Sequence, residues 1–232
     1  MKKYLPLVLV LSFTAPAFSQ TTKNTCNCPT GQDLAHQGAP ERMFTLSNGN
    51  LIGLCGDLEK AGRDTIYSEV ILYHCGEEGF FRDWDGIKTC KIYQDHDTIV
   101  VQQLFSLPLG EKMQLITTTF KTEKYFYRGS GFLVNSSYRT DLPKYTPPQI
   151  TDVLAQYAKL TRGNYDNILQ VERRLFWAYV SGSAEAGNDL ASFSKKFGPF
   201  IGDKSDEFDE VHGLYWSWKL DQTTGQTELT VP

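Results

Sequence analysis

Tyr145-Thr146-Pro147-Pro148-Gln149-Ile150 is the stretch on which the fold turns. Before it the apolar residues recur with period 2; after it they recur with period 3.6, the helical repeat. Two prolines at the switch suit the first helical turn, where the missing N–H has no intrahelical partner to lose. Behind them Ile150, Val153, Leu154, Tyr157 and Leu160 keep helical spacing, and Gly163 is placed to end the run. Ile168, Leu169, Leu175, Phe176 and Tyr179 make a second stripe that ends near Gly182. Leu190, Phe193 and Phe197 mark a third, shorter helix closing at Gly198-Pro199. Phe208, Val211, Leu214, Tyr215 and Trp218 mark a fourth. These define a helical region over 146–219, followed by a polar tail over 220–232 that reads as either a short hairpin or disordered chain.

Working back from the switch, residues 42–145 read as strands and turns. Met43 to Ser47 and Asn50 to Cys55 flank Asn48-Gly49, a strong hairpin signal because type I′ turns need positive φ at both central residues. Thr65 to Cys75 is a strand in which Ile66, Ser68, Val70 and Leu72 would face one way and Tyr67, Glu69, Ile71 and Tyr73 the other. Thr89 to Gln94 and Thr98 to Phe105 flank a turn at Asp95-His96-Asp97, and Gly129-Ser130-Gly131 turns the chain into Phe132-Leu133-Val134. Short strands joined by turns imply an antiparallel meander of about six to eight strands. The fold class is therefore α+β: an N-terminal antiparallel β-meander followed by a small C-terminal bundle of about four helices. Whether those helices pack on the sheet or on each other stays open.

The N-terminus carries an export pattern. Lys2 and Lys3 precede an apolar run from Leu5 to Phe13, and Ala17-Phe18-Ser19 places small residues for cleavage between Ser19 and Gln20. The run is too short to span a bilayer, which takes roughly 20 residues. Residues 1–19 read as a signal peptide, and 20–41 as a loose polar leader. The residues before Cys26 (Lys23, Asn24 and Thr25) are polar, which argues against lipidation. A periplasmic or secreted location follows, with no membrane insertion after cleavage. The formal net charge of −4 becomes more negative once Lys2 and Lys3 are removed, which does not suit a nucleic-acid binder. With 41% apolar residues the chain can bury a core. An exported chain with a cysteine-bearing β part and a helical part resembles secreted proteins of Gram-negative bacteria in architecture; the resemblance brings no residue assignments.

All five cysteines, Cys26, Cys28, Cys55, Cys75 and Cys90, lie in the first half. Export makes them disulfide candidates, and the odd count leaves at least one free or paired between chains. Bridges among Cys55, Cys75 and Cys90, or from one of these to the Cys26/Cys28 segment, are expected; the connectivity is open. Cys26-Asn27-Cys28 as a redox or metal pair is the sharper alternative. It sits beside Pro29 on polar sequence, away from any helix start that would lower a thiol pKa, and zinc would need two further ligands.

Catalytic motifs are absent: there is no G-x-S-x-G, no phosphate-binding loop, no H-E-x-x-H and no G-x-G-x-x-G. His74 and Cys75 are adjacent on a strand, so they point apart and cannot form a nucleophile–base pair. Glu77, Glu78, Asp83 and Asp85 around Trp84 form the densest acidic-aromatic segment and give a hydrolase alternative, since glycosidases flank the sugar with two carboxylates. Trp216 and Trp218, two apart on a helix, lie about 200° apart around its axis. Trp218 should join the buried stripe and leave Trp216 toward the surface, where an exposed tryptophan suggests a partner contact. The expectation is a non-catalytic binding protein, inhibitor- or immunity-like, with a protein partner, no cofactor and no metal. Trp216 and Trp84 are its candidate contacts. A hydrolase of cell-envelope or extracellular glycans and a small-ligand carrier are the alternatives.

Overall fold

The computed structural model describes residues 26–28, 38–61, 64–76, 80–84, 89–128, 131–224 and 229–231. Eight strands come first: β1 (Arg42–Thr45), β2 (Leu51–Ala61), β3 (Asp64–His74), β4 (Phe80–Trp84), β5 (Thr89–Asp95), β6 (Thr98–Leu109), β7 (Gln114–Arg128) and β8 (Gly131–Tyr138). Five helices follow: α1 (Pro147–Ala158), α2 (Tyr165–Val180), α3 (Ala184–Ala191), α4 (Phe193–Phe197) and α5 (Asp203–Thr224). A last short strand, β9 (Leu229–Val231), returns to the sheet. The strands join in the order β1-β2-β3-β5-β6-β7-β8-β9, with β4 beside β3, and every pairing is antiparallel. The fold is α+β, a sheet followed by helices.

Two turns show how far local chemistry dictates the strands. The β1–β2 hairpin forms at Asn48-Gly49, but its loop is longer than a two-residue turn: Leu46 N–H donates to Asn50 O, and only Gly49 takes positive φ. The β5–β6 turn at His96-Asp97 is a two-residue loop closed by the Asp95↔Thr98 pair. Asp97 accepts from both the N–H and the hydroxyl of Ser47, which holds its carboxyl below the usual carboxylate range. Gln94 Nε2 donates to Thr45 O at 2.7 Å, so side chains bring β1 back across the sheet onto β5.

Two irregularities overturn strict alternation. In β3, Glu69 takes a φ of 48° where the pairing with β2 slips beside Gly56. Tyr67, Val70 and Leu72 consequently share one core, although an unbroken strand would place Tyr67 on the opposite face. In β7, Phe120 is an extra residue between the Gln103↔Lys121 and Leu104↔Thr119 pairs. The slip lets one long hairpin serve two cores. Ile99, Val101 and Tyr125 face a core made by the sheet folding over itself. Phe105, Leu107 and Phe120 face the helices.

The helices share that second core with the sheet. Phe120, 0% exposed, contacts Phe105, Tyr138, Phe176, Trp177 and Trp218 at ring-centroid distances of 5.3 to 6.2 Å. Gln149, just behind the two prolines, accepts from Thr146 N–H and donates to Gly110 O, pinning the start of α1 to the β6–β7 turn. The expected third helix is two short ones, α3 and α4, which meet at Ser192. α5 continues to Thr224, into the segment read as polar tail.

Two disulfides, Cys26–Cys75 and Cys28–Cys55, span Cα–Cα distances of 5.1 and 5.9 Å. They pin a leader expected to be loose onto β2 and the end of β3. Cys90, buried in the sheet core, belongs to neither bridge. The bridges fit an extracellular or periplasmic protein. Among the described residues no helix is long and apolar enough to cross a membrane.

Candidate functional site

Several sequence candidates resolve into structural roles. Cys26 and Cys28 bridge to different partners, so they do not act as a C-x-C redox or metal pair. Cys75 is committed to a disulfide and has no thiol to pair with His74, whose ring stacks on Tyr127 at 6.1 Å. Among the described residues no cluster of three or more His, Cys, Asp or Glu side chains could hold a metal ion. Glu77, Glu78 and Asp85 lie outside the described residues. Asp83 and Trp84 fall on β4, at register positions opposite Ile71 and Val70.

Ser217 draws notice as a possible nucleophile. Its Oγ lies 3.2 Å from Lys121 Nζ and 2.7 Å from the Tyr138 hydroxyl. Lys121 is ion-paired to the buried Glu123 at 3.0 Å. Ser217 also sits mid-helix, where backbone N–H groups are spent on helix hydrogen bonds and none is left for an oxyanion. The cluster docks α5 onto β7 and β8.

Two concavities lined by described residues bear on ligand binding. One, between β6 and the α2–α5 pair, has a volume of about 10 Å³ and is lined by Phe105, Leu107, Phe176 and Leu214. That is room for about one water, against the roughly 300 Å³ or more typical of a ligand pocket. The other is an open cleft of about 470 Å³ at the start of α2, lined by Asn164, Asp166, Asn167, Gln170, Arg173, Lys204 and Glu207. Its charges satisfy one another: Lys204 bridges Asp166 at 2.7 Å and Glu207 at 3.2 Å, and Arg173 pairs with Glu210 at 2.8 Å.

The outer side of α5 is different. Phe208, Val211, Leu214, Tyr215 and Trp218 turn inward, as the helical repeat requires, and Trp216 is left out: it is 46% exposed where Trp218 is 8% exposed. The exposed indole is not loose. Its Nε1–H donates to His212 Nε2 at 3.0 Å, its ring lies 4.9 Å from that of Tyr215, and Lys219 Nζ sits 4.9 Å over it. Tyr215 is anchored in turn by donating to Gly187 O. Leu220, one turn on, is also exposed and extends the apolar strip.

Beneath this strip lies a polar oddity that sequence reading missed. Glu172 on α2 is 0% exposed, and neither carboxyl oxygen has a hydrogen bond. Burial pushes its pKa well above the ordinary carboxylate range; Asp209 adds to this and Arg173 opposes it. His212 Nδ1 lies 3.9 Å from Glu172 Oε1 and likewise has no hydrogen bond. His212 stacks on Phe208 at 4.7 Å, and burial lowers its pKa. The only sequence signal for the pair is Glu172 falling near an otherwise apolar helix stripe.

No protein-family model, no curated protein and no solved structure matches the chain.

Proposed function

We propose that the protein is an exported, non-catalytic binding protein that acts by covering a surface of a partner protein, as an inhibitor or immunity protein does, with Trp216 at the centre of contact. The carrying observation is the state of Trp216: large, half exposed, and held in one pose by His212, Tyr215 and Lys219. A held aromatic loses little entropy on binding and buries a large apolar area, which is why Trp dominates interface hot spots. The two disulfides and the Lys2 to Ser19 export pattern support an encounter outside the cytoplasm.

The test is capture from the native periplasm with the mature chain as bait, in wild-type and Trp216→Ala forms. Tyr93→Ala, at an exposed aromatic on the sheet, is the control. The proposal expects a partner protein retained by wild type and Tyr93→Ala and lost with Trp216→Ala. Equal recovery by all three baits would refute the assignment of Trp216.

A further inference from the structure

Indole is a donor only, so the Trp216–His212 hydrogen bond fixes the imidazole: Nε2 supplies the lone pair, and the neutral ring carries its proton on Nδ1, toward Glu172. A second proton can enter only at Nε2. It would turn the acceptor into a donor and set two N–H groups against each other. We infer that His212 is a proton-operated latch on Trp216: the neutral ring holds the indole in its binding pose, and protonation at Nε2 releases it. Partner affinity then falls as the medium acidifies. That last consequence rests on Trp216 being the contact residue.

The surroundings of His212 set the direction. From α2 it is faced by Glu172 at 3.9 Å, with Arg173 adjacent and paired to Glu210. On α5 it has Asp209 one turn back and Tyr215 at 6.1 Å, and Lys219 lies over the neighbouring indole. Burial disfavours the imidazolium and Asp209 favours it, with burial the larger effect. The latch therefore stays closed at neutral pH and opens below the ordinary histidine value of about 6.5. A lost neutral hydrogen bond corresponds to an affinity decrease of about fivefold.

The local event is read by following the indole N–H resonances of the ¹⁵N-labelled mature chain from about pH 8 to about pH 5, with Trp216→Phe to assign the signal. Trp216 should move upfield on acidification, with a midpoint below about 6.5. Trp177, whose indole donates to Pro143 O, should stay fixed. In His212→Gln the amide oxygen can accept from Trp216 without titrating, and the Trp216 signal should no longer move. A Trp216 resonance that is flat in wild type overturns the latch. So does one that still titrates in His212→Gln, which would assign the proton to Glu172, or one that moves together with Trp177, which would report unfolding. A failed titration leaves the partner-binding role of Trp216 standing. Capture unaffected by Trp216→Ala refutes that role and leaves the titration standing.

Discussion

Trp216 and Trp218 lie two residues apart on α5 and occupy opposite environments: the first gives its indole N–H to His212 at the surface, and the second stacks on Phe120 at 5.5 Å in the core shared by sheet and helices. Their substitutions should separate accordingly. Trp218→Ala is expected to cost about 3–5 kcal/mol of stability, and Trp216→Ala no more than about 1 kcal/mol, the net worth of one hydrogen bond. Urea unfolding of both variants checks this. Equal losses would mean that Trp216 is a structural residue.

Glu172 makes the protein pH-sensitive with a definite sign. Its folded pKa is raised by burial, so its favourable contribution is complete below the unfolded value and is lost as pH rises through the folded one. Glu172→Gln removes that loss. The variant should match wild type near pH 4.5 and then gain on it by roughly 1 kcal/mol per pH unit until Glu172 ionises in the folded state, because glutamine is never buried as an anion. A stability difference that does not depend on pH would contradict the account. His212 works the other way: its lowered folded pKa makes acidification below about 6.5 destabilising.

Phe120 is central to the helix–sheet interface because the bulge in β7 puts it there. Phe120→Ala should cost about 3–5 kcal/mol. Phe120→Leu should recover much of that, since leucine refills volume without the ring contacts. Loss of near-ultraviolet dichroism in the alanine variant, from the five rings around Phe120, is the accompanying signal.

The bridges should act on stability rather than on chemistry. Replacing Cys28 and Cys55 together by serine opens a loop whose ends are 27 residues apart and should cost about 2–4 kcal/mol. The Trp216 surface, on α5, should keep its indole signal in the folded fraction. If reduction instead abolished Trp216's hydrogen bond while the fold persisted, the leader would be part of the site.

Period and punctuation in the chain carried the architecture: the switch at Pro147, the hairpin at Asn48-Gly49 and the inward stripe of α5 were all legible. Legibility failed where a backbone irregularity decided the outcome. Nothing local marks Glu69 for positive φ or Phe120 as an extra residue, because both follow from how neighbouring strands must slip to serve two cores. Disulfide connectivity was open for the same reason, since it depends on which strand ends the leader reaches. In the candidate site, the separation of Trp216 from Trp218 by about 200° was readable from the helical repeat alone. Glu172 under His212 was not, because it takes the packing of α2 on α5 to bring them together.

The most direct measurement is the affinity of the mature chain for the partner protein it captures, in wild-type and Trp216→Ala forms at about pH 7.5. Truncating a central hot-spot tryptophan removes about 2 kcal/mol or more, so binding should weaken about 30-fold or further while stability barely changes. An affinity within about twofold of wild type, in a variant that folds normally, would contradict the claim that this protein works through Trp216.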